Sequence, residues 1–269
     1  MKPLVPSPPS GPYPVRYDPL PDHTQLPDRE GGNPLCPYTG RIPDHTTLPD
    51  KDGMFVRNSY EYWQSHLLTD ALLPVADQSF PQGNYFIGED CGIYWQLTEP
   101  PQRGVKAPDW FFVPDVPRLL DGLMRRSYVF WREGVAPLLL LEYISGSGAE
   151  KRDRTPQEGK FWVYENRIRA SYYGIYDPNN RALEMYVLRE RQYARLDPDE
   201  RGWFRIALLD VHLGIWHGTF GGYEAPWLRW WDAQGQLLPT AAERAEIAEQ
   251  RALRLAERLR AAGIDPDNV

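Results

Sequence analysis

Cysteine is nearly missing from these 269 residues: Cys36 and Cys91 are the only two. Two thiols cannot build a disulfide framework or a zinc site of cysteines alone, and both are read as free. Lysine is almost as scarce, at Lys2, Lys51, Lys106, Lys151 and Lys160, so arginine carries nearly all the positive charge. Any chemistry that needs a lysine has few residues to draw on. Long apolar runs are also lacking. The longest, Ala136 to Leu141, falls far short of the roughly 20 residues that span a bilayer. The opening Met1-Lys2-Pro3-Leu4-Val5-Pro6 has no apolar stretch of the kind a secretory leader needs. A soluble, cytoplasmic protein with no membrane partner is expected. The formal net charge of −7 argues against coating nucleic acid through the overall field, while leaving room for a local groove.

Proline is plentiful and unevenly spread: 13 of 27 precede residue 54. That density opposes regular helix and central strand, so residues 1–53 are expected to form an extended arm laid over another surface. The arm holds a short repeat, in which the segment from Leu20-Pro21-Asp22-His23-Thr24 recurs from Ile42-Pro43-Asp44-His45-Thr46. Two copies are too few for a solenoid and read as two similar docking turns. His23, Cys36 and His45 could be imagined as zinc ligands, but their spacing matches no finger pattern, and ordinary loop histidines are the simpler reading.

Beyond the arm the periodicities are regular. Asn58 or Ser59 can cap a helix to about Leu73, with Tyr60, Trp63, Leu67 and Leu68 as its apolar stripe. Strands are expected at 85–88, 92–97 and 110–113. The run 137–144, bounded by Pro137 and Ser145-Gly146, reads as a central strand apolar on both faces. Thr155-Pro156-Gln157-Glu158 has the form of a capping box, predicting a helix over about 156–165. A strand at 171–176, the turn Asp177-Pro178-Asn179-Asn180 and a returning strand at 182–188 follow. Strand, helix and strand then make one crossover unit. Runs at 204–208 and 213–216 close the domain, and 227–231 is expected to cover an edge. The tail 240–262 is a charged helix with a mostly alanine heptad seam, suited to weak pairing of two copies or to packing on its own domain. The resulting division is an arm (1–53), a main domain (54–235) and a C-terminal helix (236–269).

Phosphodiester cleavage needs a divalent metal held by hard oxygens, a polarised water and a positive group nearby. Asp109 lies at the mouth of a strand. Glu142 lies inside another, sharing a face with Leu138, Leu140 and Ile144, where a carboxylate is costly unless paired or metal-bound. A buried salt bridge to an arginine is the plainer alternative. Asp115 competes with Asp109 but falls past the apolar run. Lys160, on the predicted helix and on one face with Tyr164, is the preferred cation. Lys151 is the rival, set in a Gly146-to-Arg154 run that reads as a solvated loop. Arg125, Arg126, Arg152 and Arg154 are candidates for phosphate contacts, each also readable as ordinary surface charge.

Taken together, Pro108-Asp109, Glu142-Tyr143-Ile144-Ser145, Asp153, Lys160, Tyr164 and Tyr176-Asp177-Pro178 resemble the Uma-type family of restriction endonucleases, within the wider PD-(D/E)xK nuclease superfamily. The resemblance spans roughly residues 55–235. The arm and the tryptophan-rich segments resemble a cyanobacterial branch of that family. It implies an α/β (α+β) restriction-endonuclease-like fold, a mixed sheet flanked by helices. It also implies a magnesium- or manganese-dependent endonuclease acting on DNA. Asp109 and Glu142 would be metal ligands, with the carbonyl of Tyr143 as a further one and Lys160 as the catalytic lysine. A homodimer is expected from the habits of the fold and from the tail. The chain departs from the pattern at one position: the superfamily's lysine belongs two residues after the glutamate, where Ile144 stands. Either Lys160 supplies the group from the helix, or the fold survives as a non-catalytic binding or assembly module.

Overall fold

The computed structural model describes residues 59–98, 101–144, 147–262 and 265. The proline-rich arm, its repeat and the His23, Cys36 and His45 set lie outside the described residues. In chain order the elements are α1 (Ser59–Ser79), β1 (Tyr85–Glu89), β2 (Ile93–Tyr94), β3 (Val105–Lys106), β4 (Trp110–Pro114), β5 (Tyr128–Val129), α2 (Phe130–Glu133), β6 (Leu139–Tyr143), α3 (Lys160–Val163), β7 (Tyr172–Asp177), β8 (Ala182–Arg189), β9 (Gln192–Leu196), β10 (Phe204–Ile206), β11 (Val211–Phe220), β12 (Tyr223–Asp232) and α4 (Ala241–Ala261).

Six strands form the main sheet, in the order β1-β4-β6-β7-β8-β9. β6 and β7 are parallel and the other neighbours antiparallel, so the sheet is mixed as expected. A parallel pair needs a crossover, and α3 lies on it. Three of the five residues of β6 are leucine because both of its faces are covered. Leu139, Leu141 and Tyr143 pack on one side with Leu68, Leu72, Trp110, Phe112 and Trp230. Leu140 and Ile144 pack on the other with Phe111, Val113, Phe161, Val163, Tyr164 and Tyr173. Leu138 precedes the strand and joins the first cluster, not the face of Glu142 to which alternation would assign it.

Helix α1 carries the expected stripe but continues past Leu73, through Pro74, to Ser79. Burial of Leu72 and Ala76 against the sheet outweighs the backbone hydrogen bond that an interior proline removes. β10, β11 and β12 make a second, antiparallel sheet. The segment 227–231 does not cover an edge; it is the buried half of β12, and Trp230 Nε1 donates to the Leu68 carbonyl at 3.0 Å. The run 92–97 shrinks to β2, part of a small sheet with β3 and β5.

The helix predicted over 156–165 is the largest local correction. Residues 155–158 turn instead, with Gln157 in the left-handed region at φ 65°. Asp153 takes the role assigned to Thr155. Its carboxylate accepts from the Thr155 N–H and hydroxyl, and its carbonyl accepts from the Phe161 N–H at 3.0 Å. Gly159 is required where the chain passes this carbonyl, since a Cβ there would lie 2.3 Å from the oxygen. Helix α3 therefore starts only at Lys160 and runs into a π turn, Tyr164–Ile168. The four-residue phase relating Lys160 to Tyr164 survives, which is what the site depends on.

Candidate active site

Glu142 is fully buried in β6, and three side chains meet it. Lys160 Nζ donates to both carboxylate oxygens at 2.9 Å, and to the Ala107 carbonyl at 3.2 Å. The Tyr164 hydroxyl donates to Oε1 at 2.6 Å. Lys151 Nζ donates to Oε2. Burial alone would raise the glutamate pKa, but Lys151 and Lys160 outweigh it and hold Glu142 below the ordinary value, so it is a carboxylate. No arginine is among these partners, which disposes of the arginine salt bridge considered as the plain alternative.

Asp109 sits at the entry to β4, beside the end of β6, because β4 pairs with β6 only as far as Trp110 and Leu141. Past that point the Tyr143 N–H donates to Asp109 Oδ2 at 2.5 Å in place of a strand partner. Main-chain N–H and C=O of one strand residue face the same edge, so the Tyr143 carbonyl is directed to the Asp109 side as well. Asp109 Oδ2 lies 3.6 Å from Lys151 Nζ. Its carboxyl is pushed up to about 7, first by burial and then by Glu142, with the two lysines pulling the other way. Outward from Asp109 a pocket of about 170 Å³ opens, lined by Glu61, Tyr62, Ser65, Glu89 and Asp90.

The residues singled out by sequence thus divide. Asp109, Glu142, Lys160 and Tyr164 converge. Asp115 is exposed in a left-handed turn away from them. Ile144 is core. Lys151 is the residue sequence reasoning misplaced. It belongs not to a solvated loop but to a short 3-10 turn, Glu150–Arg152, with its side chain 8% exposed. Its scarcity in the chain and its position nine residues after a buried glutamate were the available signals. Arg125 is also not free to meet phosphate, since its side chain is buried in a bidentate pair with Glu133, Nε donating to Oε1 and a terminal nitrogen to Oε2. Arg152 pairs with Glu184, and Arg154 lies over the Phe161 ring.

The model of the Uma2 family, described as "Putative restriction endonuclease", matches residues 59–220. The chain belongs to this family. A solved structure described as a putative nuclease belonging to DUF820, from Anabaena variabilis, is similar at 12% identity with a TM-score of 0.34, covering 51% of this chain and 68% of that one. So distant a likeness carries no argument. No curated protein matches the chain.

The Uma2 match includes every residue of the cluster. Among the described residues no three of His, Cys, Asp and Glu gather as a metal-ligating set. What this Uma2 domain offers is two carboxylates and the main-chain oxygen of Tyr143, all hard donors of the type magnesium and manganese accept. One cationic atom, Lys151 Nζ, already reaches both carboxylates. The donor set fits a hard divalent cation in its chemistry.

Proposed function

We propose that this protein is a metal-dependent endonuclease hydrolysing phosphodiester bonds in DNA. In this reading Asp109, Glu142 and the Tyr143 carbonyl are the metal ligands and Lys160 is the catalytic cation. The observation that carries the reading is the meeting, at one end of β4 and β6, of Asp109, a fully buried Glu142 and a lysine hydrogen-bonded to it from α3. Hydrolysis adds the oxygen of water to phosphorus and releases one ester oxygen as a hydroxyl. A divalent cation, when bound, supplies a polarised water and compensates phosphate charge. Asp109 and Glu142 provide the negative charge that holds such an ion; Glu142 stands in β6, and Asp109, at the entry to β4, is tied to β6 by the Tyr143 N–H. The Tyr164 hydroxyl stops the Glu142 carboxylate from rotating. Lys160 Nζ, able to exchange a Glu142 or Ala107 oxygen for one of phosphate or water, offsets charge as it develops in the transition state.

The second reading, a nuclease-fold binding or assembly protein, draws on Ile144 at the superfamily's lysine position and on a Glu142 whose oxygens are already hydrogen-bonded. Nicking of supercoiled plasmid at saturating Mn²⁺ separates the two. Under the enzyme reading the wild type nicks, and both Asp109→Asn and Lys160→Met lose about a hundredfold or more in rate, the size of effect that follows removal of one transition-state contact. A wild type that binds DNA yet leaves the plasmid supercoiled sinks the enzyme reading and leaves the binding one.

A further inference from the structure

Lys151 has no part in the chemistry above, yet its ammonium occupies the most central position in the site. Nζ donates to Glu142 Oε2 and lies 3.6 Å from Asp109 Oδ2, so a single cationic atom bridges the two carboxylates. Lys160, in contrast, meets Glu142 and a main-chain carbonyl. The backbone behind Lys151 is anchored, for the Tyr173 hydroxyl donates to its carbonyl at 2.7 Å and the adjacent Arg152 pairs with Glu184. Burial works against its charge, but Glu142 and then Asp109 more than restore it, so the side chain is an ammonium. A divalent ion seeks the same two carboxylates, and like charges a few ångströms apart in a buried site repel strongly.

Resting on the nuclease reading, we infer that Lys151 is a resident cation in the metal position, and that a divalent ion joins Asp109 and Glu142 only by displacing its ammonium. The flexible four-carbon stem lets the head group leave while the 3-10 turn that carries it stays in place. Metal affinity is then the intrinsic affinity reduced by the fraction of molecules with Lys151 withdrawn. Lys160 is not displaced and keeps its bond to the glutamate.

Calorimetric titration of the full chain with Mn²⁺ tests this on the wild type, Lys151→Met and Lys160→Met, methionine keeping most of the stem's packing. If a tenth or fewer of the molecules are open, Lys151→Met binds about tenfold or more tightly than the wild type. Lys160→Met, which removes charge from the same glutamate but not the bridging atom, gains less. Equal affinities for wild type and Lys151→Met overturn the displacement while leaving the metal site standing. No Mn²⁺ bound by any of the three removes the metal site, and the nuclease reading with it. The wild type gives an independent readout that needs no variant to fold: acetylation of Lys151 by an N-hydroxysuccinimide ester, mapped by peptide mass spectrometry, should accelerate in saturating Mn²⁺. A Lys151 that stays equally protected in the Mn²⁺-bound protein overturns the inference.

Discussion

Glu142 illustrates how one buried charge organises its surroundings. Its two oxygens take donors from Lys151, Lys160 and Tyr164, residues drawn from different points of a single crossover connection. Removing one donor should cost what a hydrogen bond to a charged group contributes, roughly 1.5–3 kcal/mol. Tyr164→Phe, which deletes only the hydroxyl, is expected to lower unfolding free energy by that amount in urea titration; an unchanged midpoint would mean the lysines satisfy Glu142 unaided. Most of this cluster was legible from sequence. A glutamate in a leucine strand, an aspartate at a strand mouth and a lysine sharing a helical face with a tyrosine each carry a local signal. Lys151 carried none of that kind, because glycine and charge around it describe a loop. Its burial follows from tertiary partners, Glu142 and Tyr173, that no window of nearby residues contains.

At the level of elements, strong and uninterrupted patterns were read correctly and mixed ones were not. β4, β6 and β7 have both faces covered or nearly so, and their apolar runs say so. β9, Gln192 to Leu196, sets Tyr193 beside Ala194 and so has no clean alternation, it follows the turn at Glu190-Arg191, and its place at the sheet edge leaves little to bury. The two Thr-x-x-Glu sequences are instructive. At 155–158 the pattern forms no cap, because Asp153 captures the backbone first. At 240–243 the reciprocal bonds form, Thr240 accepting from the Glu243 N–H and Glu243 from the Thr240 N–H. Glu243 also pairs with the buried Arg229 at 2.7 Å. Burial alone would raise the pKa of Glu243, yet Arg229 and the Thr240 bonds together outweigh it and lower it below the ordinary 4.5. A lowered folded value means the stabilisation is present above 4.5 and lost as pH falls through that lower value. The melting temperature of the wild type should therefore exceed that of Glu243→Gln at neutral pH, and the gap should close in acid. A gap independent of pH would assign the effect to the cap geometry and not to charge.

For the whole molecule, charge is the property that bears most on the nuclease reading. The chain carries a net −7. Its second long helix, α4, is docked through its first turn, with no fully buried residue along its length. None of the described helices is long and apolar enough to cross a membrane. Composition gives the sum of the charges, but it could not reveal which acidic groups lie near Asp109.

Three of them stand beside Asp109. The pocket that opens on Asp109 is walled by Glu61, Glu89 and Asp90. A polyanion that reaches Asp109 through this pocket passes these carboxylates, and any charge interaction there has the reach of the Debye length, about 30 Å at 0.01 M salt and about 8 Å at 0.15 M. Proteins that recruit DNA through basic surfaces lose affinity steeply as salt rises. Here kcat/KM for plasmid, measured at fixed Mn²⁺ across that range, is expected to fall less steeply than that, since acidic and not basic side chains line the pocket at Asp109. A steep decline would point to a basic landing surface that overrides these carboxylates.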